Sequence, residues 1–526
     1  MLFVLLGGLR SKGHWATLIA LALAAFLAVA VWQTPPPRVL AAATRGAAFG
    51  LFPIVWILVN ALWIFRMTEV TGHFDIVRRS FASVSDDRRV QGVVIAFSFG
   101  AMLEALTGFG APVAICSALL IALGFEPIKA AAVALLANTA PVPFGAIGTP
   151  VVTLSGVTGL PPDQLAAIIG RQTPVLALFV PLILVFVIDG RRGVREVWPL
   201  ALVVGASFAI GQFLCSNFGP WALTDIAASL MSLLAAVVLL RVWQPTNSVR
   251  PESQLDQGGV PAPPAARQIE PPQRHRNGEH GRAEIARAYA PYAIIVAVFA
   301  LAQLDPVKGL LGAPTQRIPW PGLATIDARS DPTGSSTFTF DWLSAGGTML
   351  LIAGLATVAV LRVGPRRSLA VYADTVQRMR WTIVTITAVL ALASVMTASG
   401  QTLALGSFLA TTGAAFPFLS PIIGWLGVTV TGSDTASNAL FGALQIEAAS
   451  DAQLSPTLMA AANSSGGVLG KMCSVQHLAI AAAAVGMSGK EGDVFRRLLR
   501  WSIGLTLLMG ALVWLQSTPI LAWMVT

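Results

Sequence analysis

The sequence predicts an all-α polytopic membrane protein built from two inverted repeats, each with a re-entrant helical hairpin and a broken transmembrane helix. The first observation is composition: of 526 residues, 55% are hydrophobic and 11% are charged, whereas soluble domains carry about 25% charged residues. The second is a motif that occurs twice at a nearly constant offset. The third is the placement of Lys and Arg, which assigns each connecting segment to one face of the membrane.

Long apolar runs identify the segments that cross the membrane. A spanning helix needs about 20 apolar residues, and such runs lie at 15–33, 47–65, 128–157, 165–188, 199–218, 222–243, 289–304, 342–361, 381–398, 456–486 and 500–523. Two more apolar segments, 92–123 and 418–449, are long for one crossing and contain glycines near their middle. We interpret both as re-entrant hairpins, since irregular backbone at that depth is tolerated only inside protein or beside a polar cavity.

The repeated motif covers residues 100–150 and 424–476. Three landmarks keep an offset of 324 or 325 positions. They are Thr107-Gly108 with Thr431-Gly432, Asn138 with Asn463, and Gly145 with Gly470. A constant offset predicts an internal duplication, in which a hairpin is followed by a helix that breaks at an Asn. Paired broken helices in two halves of a membrane protein are typical of a transporter's substrate site.

Positive charge is concentrated on one predicted face. Of the 34 Lys and Arg residues, 27 fall in segments assigned to that face. Most occupy the connectors 66–91, 189–198, 244–288, 362–380 and 487–500. Cationic loops stay in the cytoplasm, so we expect a cytoplasmic N-terminus. Successive connectors alternate between the two faces of the membrane only if both hairpins are re-entrant. Segment 92–123 is then open to the cytoplasm and segment 418–449 is open to the outside. The two copies therefore have opposite orientations and form an inverted repeat.

The chain divides into two transmembrane halves, residues 1–243 and 289–526. The joining segment 244–288 is rich in Pro, Gln, Arg and Gly, and we expect a flexible cytoplasmic linker there. The three cysteines lie in apolar segments and their number is odd, so they predict neither a disulfide framework nor a CxxC metal motif. We expect no metal and no cofactor.

Three ionisable residues lie deep in the predicted membrane segments: Glu104, Asp434 and Lys471. Charges at that depth are costly, so each needs a reason. A helix break at 463–467 would start a new half-helix whose free N–H groups favour an anion, with Lys471 one turn further on. Lys471 therefore either receives a substrate carboxylate or forms a structural ion pair with Asp434 or Glu104.

The two acidic residues are candidates for proton coupling. Glu104 lies one turn before Gly108, and a carboxyl group in an apolar setting can exchange a proton near neutral pH. The alternative is a protonated Glu104 that only hydrogen-bonds a neighbouring helix. Asp434, at the tip of the second hairpin, can bind a proton, coordinate a cation or cap its half-helix.

Polar residues and glycines at the predicted breaks complete the candidate site. Amide and hydroxyl groups on unwound backbone can bind a small hydroxylated ligand or satisfy the broken helix itself. Glycines permit tight turns and close approach of the backbone. The residues assigned to substrate binding are Thr107, Gly108, Asn138, Thr139, Ser433, Asn463, Ser464, Gly466 and Lys471.

These motifs resemble those of the L-lactate permease family along almost the whole chain. In the first half the matches are Gly100-Ala-Met-Leu-Glu104, Gly108-Phe-Gly-Ala-Pro-Val-Ala114, Asn138-Thr-Ala-Pro141 and Phe144-Gly-Ala146. In the second half they are Gly424-Trp-Leu-Gly427, Thr431-Gly-Ser-Asp-Thr435, Ser437-Asn-Ala-Leu440, Gly466-Gly467 and Gly470-Lys-Met472. The segment 244–288 matches no family motif. Residues 1–10 are too short for the family's usual full first helix, which indicates either a truncated helix or a misassigned start codon.

The resemblance implies a secondary transporter of the ion-transporter group that takes up L-lactate, D-lactate or glycolate by proton symport across the bacterial inner membrane, with an elevator-like motion. Its expected partners are the 2-hydroxymonocarboxylate, protons and membrane lipid, and no binding of nucleic acid is expected. The resemblance leaves open whether the chain forms a homodimer. The main alternative is a Na⁺-coupled transporter of another small carboxylate. A passive channel is a second alternative. A membrane-embedded enzyme lacks support, because the sequence contains no GxSxG or HExxH motif.

Overall fold

Helices make up nearly all of the part of the chain that the computed structural model describes, residues 13–82, 85, 87–108, 110–245, 282–302, 304–323 and 337–525. In the first half they are α1 (Gly13–Ala30), α2 (Pro36–Phe49), α3 (Trp56–Val70), α4 (His73–Ala82), α5 (Arg88–Val93), α6 (Gly100–Leu106), α7 (Ala111–Ala122), α8 (Pro127–Ala137), α9 (Gly145–Thr158), α10 (Pro162–Ala177), α11 (Val180–Phe218) and α12 (Thr224–Val242). Two π-helical segments, Gly50–Val55 and Val94–Phe99, join α2 to α3 and α5 to α6.

The second half has the same helical character, with one small antiparallel pair of strands, β1 (Gln316–Pro319) and β2 (Thr337–Phe340), in the predicted external loop. Its helices are α13 (Arg282–Ala302), α14 (Asp305–Gly312), α15 (Gly346–Val360), α16 (Pro365–Ala398), α17 (Gln401–Ala410), α18 (Phe416–Thr431), α19 (Asp434–Asp451), α20 (Pro456–Gly470), α21 (Val475–Ala484) and α22 (Glu491–Gln516).

Many of these helices are long and apolar enough to cross a membrane. The described residues contain 8 such helices, or up to 10 if each of two bent pairs forms one span. The bent pairs are Pro127–Ala137 with Val142–Thr158, at 63°, and Pro456–Cys473 with Val475–Ala484, at 42°. The predicted class of all-α polytopic membrane protein is confirmed.

Most predicted spans coincide with helices, and two differences have local causes. The spans 165–188 and 199–218 are not separated by an extended loop, because the two helical parts of α11 meet at a kink at Gly190 and the second part includes the rest of the charged connector. Arg and Glu, which occur in that connector, are good helix formers. The second difference is α17, a helix of 10 residues that is too short to be recognised as a span.

Local sequence explains where the helices begin and turn. Pro lies in the first turn of α8, α10, α16, α18 and α20, where its missing N–H costs nothing. The side chains of Ser455 and Ser474 accept backbone hydrogen bonds and cap α20 and α21. Gly108 (φ 54°) and Gly432 (φ 74°), which correspond in the two copies, both adopt the left-handed conformation that glycine reaches without steric cost.

The two ends of the first predicted hairpin lie together. The Arg88 guanidinium donates to the Gly124 carbonyl and lies 4.3 Å from the centroid of the Phe125 ring. Further along the arms, Cys116 Sγ donates to the Ile95 carbonyl at 3.4 Å. The arms are therefore antiparallel, and we call residues 88–122 hairpin one.

The second predicted hairpin has the same arrangement. Gln445 Nε2 donates to the Ser420 carbonyl, and Ser437 Oγ donates to the Gly424 carbonyl, both at 3.2 Å. These bonds hold α18 antiparallel to α19, and we call residues 416–451 hairpin two.

Connectors that the charge distribution places on one face contact one another. The contacts are Arg89 with Asp189 (3.1 Å) and Glu196 (2.5 Å), and Arg66 with Asp374 (2.8 Å). Arg45 and Thr337, which are predicted to share the other face, also meet, with the guanidinium 3.1 Å from the Thr337 carbonyl oxygen. These contacts agree with the predicted grouping of connectors.

Parts of several predicted segments lie outside the described residues. In the predicted linker 244–288 this applies to residues 246–281, and α13 begins at Arg282. It also applies to residues 324–336 of the predicted external loop and to Phe109 in the turn of hairpin one. The division of the chain at 244–288 stays a prediction.

Candidate functional site

Both helices that were predicted to break do so, but at different points of the motif. After α8 the chain turns at 138–144, and α9 opens with three residues in the left-handed region, 146–148. In the second half, α20 continues through Asn463 to Gly470, and the bend lies at 471–474. The predicted break at 463–467 is therefore wrong. Asn463 and Ser464 lie on helical backbone, in contrast to the prediction.

Close helix packing explains why two consecutive glycines do not break α20. A Cβ atom on Gly466 would lie 2.1 Å from the Pro421 carbonyl oxygen, and one on Gly424 would lie 1.9 Å from the Asn463 carbonyl oxygen. Glycines here let α18 and α20 approach backbone to backbone, as small residues commonly do between membrane helices. Gly466 thus belongs to a helix contact, and its assignment to substrate binding stays a prediction.

Lys471 lies at the bend of the second broken helix and pairs with Glu104 of hairpin one. Lys471 Nζ is 2.5 Å from Glu104 Oε1, and the two side chains are only 5% and 4% exposed. The sequence left open whether Lys471 pairs with Asp434 or Glu104, and the Glu104 pair is present. The free-energy cost of removing two charges from water is offset only when the partners are close and well hydrogen-bonded. Lys471 and Glu104 therefore stabilise each other at this depth.

The first broken helix and the turn of hairpin one enclose the Glu104 carboxylate. Asn138 Nδ2 donates to Glu104 Oε2 at 3.0 Å. A Cβ atom on Gly145 would lie 2.9 Å from Glu104 Oε1, and one on Gly108 would lie 3.8 Å from the same atom. The absent side chains leave room for the carboxylate. Elements of both halves thus meet at the Lys471–Glu104 pair.

The hydroxyl groups of Thr107 and Thr139 are buried beside these turns and bond their own helices. Thr107 Oγ1 donates to the Leu103 carbonyl at 2.9 Å, and Thr139 Oγ1 donates to the Leu136 carbonyl at 2.8 Å. Thr139 thus satisfies the end of α8 in the first broken helix, which was one of the two predicted roles, and Thr107 satisfies the end of α6 in hairpin one. Each oxygen retains lone pairs that can accept a further hydrogen bond.

A second polar cluster surrounds Asp434 in the first turn of α19. Asp434 Oδ2 accepts hydrogen bonds from Ser464 Oγ at 2.6 Å and from Asn438 Nδ2 at 3.4 Å. Asn463 Nδ2 donates to Asn438 Oδ1 at 2.9 Å, and Gln445 Nε2 donates to Asn463 Oδ1 at 3.2 Å. We call these five residues the Asp434 cluster; Asn438 and Gln445 were not predicted.

The two polar groups of residues are neighbours. A Cβ atom on Gly467, one turn before Lys471, would lie 2.4 Å from Asp434 Oδ1, and Asn438 Nδ2 also donates to the Pro150 carbonyl of α9 at 3.2 Å. Two buried acceptors, Asn138 Oδ1 and Asp434 Oδ1, have no hydrogen-bond partner among the described residues. Buried polar atoms normally have a hydrogen-bond partner, so each of these two oxygens can accept a hydrogen bond from a bound ligand.

Ser433 rather than Asp434 caps α19. Ser433 Oγ accepts the hydrogen bond from the Ala436 N–H at 3.3 Å, while the Asp434 carboxylate is directed to Ser464 and Asn438. The predicted capping role of Asp434 is wrong, which leaves its carboxylate available for a proton or cation.

A cavity of about 360 Å³ reaches the turn of hairpin two and the start of α21. Its wall includes hydroxyl groups of Thr431, Ser433 and Thr435. It also includes His14 of α1 and Trp381 of α16, whose rings stack with centroids 4.3 Å apart. The cavity therefore connects the turn of hairpin two with two helices outside the repeated motif.

Asp225 is a buried acidic residue that the repeated motif does not contain. It lies in the first turn of α12 and is 1% exposed. Gln212 Nε2 donates to Asp225 Oδ1 at 3.4 Å and to the Ala140 carbonyl at 3.2 Å, which ties Asp225 to the first broken helix. The sequence signal for this residue was an Asp within the predicted span 222–243. It was not selected as a site residue because it lies near the end of that span.

The cation of the site has no equivalent in the first copy. At the offset of 325 positions, the counterpart of Lys471 is Ala146, which adopts the left-handed conformation (φ 45°). The two breaks therefore differ in chemistry, since one carries an ammonium group and the other a methyl group.

Comparison with solved structures supports the fold. The structure of MtrF from Neisseria gonorrhoeae, a protein described as one of a class of antimetabolite efflux pumps, aligns with a TM-score of 0.50 and 14% sequence identity. The alignment covers 90% of this chain and 82% of MtrF. At this identity the likeness concerns the fold alone.

Comparison with known sequences identifies the family. The chain is 42% identical to the glycolate permease GlcA of Escherichia coli (strain K12), across 98% of this chain and 93% of that protein. It is 39% identical to the L-lactate permease of Bacillus subtilis (strain 168), across 98% and 94%. These relatives are permeases, as expected for a transporter rather than an enzyme. The sequence model described as L-lactate permease matches residues 1–520. The chain belongs to the L-lactate permease family.

Proposed function

We propose that this chain takes up L-lactate, D-lactate or glycolate together with a proton across the bacterial inner membrane. Relatives named glycolate permease and L-lactate permease support the substrate class. The buried ammonium group of Lys471 is suited to a single carboxylate. The observation that carries the proposal of proton coupling is the 2.5 Å contact between Lys471 and Glu104.

The ion pair links anion binding to protonation. In the intact pair, Glu104 occupies the position next to Lys471 that a substrate carboxylate requires. A monoanion added to the intact pair would leave an uncompensated negative charge in a buried site, which is costly. Transfer of one proton to Glu104 neutralises that side chain and leaves Lys471 to bind the substrate carboxylate. One proton therefore accompanies one anion, and release of both restores the pair.

The substrate hydroxyl group then lies between the two breaks. Asn138 Oδ1, which has no partner among the described residues, accepts a hydrogen bond from the substrate hydroxyl group, and the lone pairs of Thr107 and Thr139 are alternative acceptors. Ser464 and Asn463 act by holding the Asp434 cluster together. Asp434, which has one unpartnered oxygen, is the alternative carrier of the coupling proton.

Hairpins one and two are, in this proposal, re-entrant parts of an inverted repeat. The meeting of Arg88 with Gly124 and the contacts among the cationic connectors support this arrangement. Alternate opening of a midplane site to either face is the general behaviour of such transporters. The 360 Å³ cavity is then the route to the cytoplasm, since its wall contains His14 and Trp381, which flank cationic segments.

Transport by purified protein in liposomes tests the proposal. Uptake of labelled L-lactate should follow an imposed proton gradient, saturate with substrate and show counterflow exchange, with D-lactate and glycolate as competitors. Uptake driven by a Na⁺ gradient at constant pH would instead support the Na⁺-coupled alternative. Flux that neither saturates nor shows counterflow would support a channel.

A further inference from the structure

Asp225 is a second buried carboxyl group beside the proposed site, and the mechanism above does not use it. Asp225 is linked through Gln212 to the Ala140 carbonyl, two residues after Asn138, whose side-chain amide donates to Glu104. Its Oδ1 accepts a bond from Gln212, whereas its Oδ2 is buried without a hydrogen-bond partner among the described residues. The nearby titratable group on α11 is Cys215. A carboxyl group inside a membrane span is rare unless it has a role.

A cavity of about 300 Å³ lies beside the segment that leads into α12. It is lined by Trp221 and Ala222, which lie one turn before Asp225, and by Lys308 and Asp341. Asp225 itself is not part of the wall, and one helical turn separates it from the cavity. Lys308 belongs to the predicted external loop, so we call this the outer cavity. Burial raises the pKa of the Asp341 carboxyl above its ordinary value.

Counting charges shows what Asp225 contributes. With Asp434 counted as a neutral acid throughout, Lys471, Glu104 and Asp225 together carry one excess negative charge if all three are ionised, and buried excess charge is strongly disfavoured. One proton on Asp225 makes the group neutral while Glu104 remains paired with Lys471. When a substrate monoanion binds Lys471, neutrality requires protons on both carboxyl groups, which is one proton more than in the empty site.

We propose that Asp225 is the proton donor to Glu104, refilled from the outer cavity. The Asp225 carboxylic acid gives its proton to the Glu104 carboxylate as the substrate anion binds Lys471. The resulting Asp225 carboxylate then takes one proton from the outer face, so that one anion and one proton have entered. Gln212 positions Asp225 and joins it to Ala140 of the first broken helix. This inference depends on the proposed proton coupling.

The test compares Asp225→Asn, Asp225→Glu and the wild type in liposomes containing a pH-sensitive dye. With one proton per anion, a gradient of one pH unit supports about tenfold accumulation of the substrate. Asp225→Asn should lose this accumulation and the substrate-driven proton flux, yet retain counterflow exchange, which moves no net proton. Asp225→Glu should restore accumulation with a shifted pH dependence. Asp163→Asn, an exposed acid also in the first turn of a helix, is the matched control.

The outcomes separate this inference from the proposed function. If Asp225→Asn accumulates lactate as the wild type does, while Glu104→Gln does not, the role of Asp225 is overturned and proton coupling stands. If the wild type itself shows no proton flux with lactate, both are overturned. Should Asp225→Asn not be recovered as folded protein, Asp225→Glu decides: an unchanged pH profile of uptake contradicts the inference.

Discussion

Glu104 and Lys471 are 367 positions apart in the chain, yet their side chains form a buried contact of 2.5 Å. Glu104 comes from hairpin one in the first half, and Lys471 comes from the bend of the second broken helix. The pair therefore joins hairpin one to the bend of the second broken helix. Under the proposed function, a movement that separates these two elements requires this pair to be neutralised or replaced, so the pair controls that movement.

Replacing Lys471 by Ala should remove the receptor for the substrate carboxylate. We expect the apparent affinity for L-lactate to fall by about 10- to 100-fold, the range that corresponds to loss of a hydrogen bond to a charged group. Labelled uptake in liposomes measures this effect. Near-normal transport by the variant would exclude the proposed role of Lys471.

The control for this variant must address stability. Loss of Lys471 leaves Glu104 without its partner, which can cost about 3–5 kcal/mol if the carboxyl stays ionised. We therefore expect the double variant Lys471→Ala/Glu104→Gln to be more stable than Lys471→Ala alone, and to show the same reduced affinity for L-lactate. Lys490→Ala, at an exposed position, should change neither uptake nor stability.

Replacing Glu104 by Gln should uncouple substrate from protons. Glutamine resembles the protonated acid, so Lys471 stays free to bind lactate at every pH. Counterflow exchange should persist, whereas uphill accumulation under a pH gradient should disappear. Glu126→Gln, exposed at the start of α8, serves as the control. If Glu104→Gln accumulates lactate as the wild type does, a residue other than Glu104 carries the coupling proton, and Asp434 is the next residue to test.

Cysteine labelling can test whether hairpin one enters and leaves on the same face. In a background without Cys116, Cys215 and Cys473, single cysteines at positions 85 and 126 should react with a membrane-impermeant thiol reagent from one side. A cysteine at position 163 should react from the opposite side. Labelling of positions 85 and 126 from opposite sides would mean that the segment between them crosses the membrane once, contrary to the inverted repeat.

Glycine substitutions can test the close contact around the Asp434 cluster. A Cβ atom on Gly467 would lie 2.4 Å from Asp434 Oδ1, whereas one on Gly504 of α22 would meet nothing within 4 Å. Gly467→Ala should therefore destabilise the protein by about 1–3 kcal/mol, the usual cost of overpacking. Gly504→Ala should not. Thermal denaturation in detergent compares the two variants, and equal stability would contradict the packing described here.

Much of the fold was predictable because lipid imposes simple length and polarity rules. Apolar runs located most helices, and the fixed offset of Thr107-Gly108 and Thr431-Gly432 revealed turns that share a left-handed glycine. The exact break in the second half was not predictable in this way. Gly466 is equally suited to interrupting a helix and to packing against Pro421, and only the neighbouring α18 decides between them.

The sequence was sufficient to identify most residues of the candidate site, but not the contacts between them. Glu104, Asp434 and Lys471 attract notice because charge is rare in a bilayer. Nothing local indicates which of the two acids approaches Lys471, since the choice depends on how distant segments pack. Asn438 and Gln445 have no charge, and their importance follows only from bonds to Asn463 and Asp434.

The unequal breaks of the two copies have a consequence for cargo size and charge. Where the second copy presents the ammonium of Lys471, the first presents Ala146. A dicarboxylate that bridged the breaks would place its second negative group against the methyl group of Ala146 instead of against an ammonium group. Under the proposed function, this difference favours molecules with one acidic group, so succinate and malate should be rejected where lactate and glycolate are accepted.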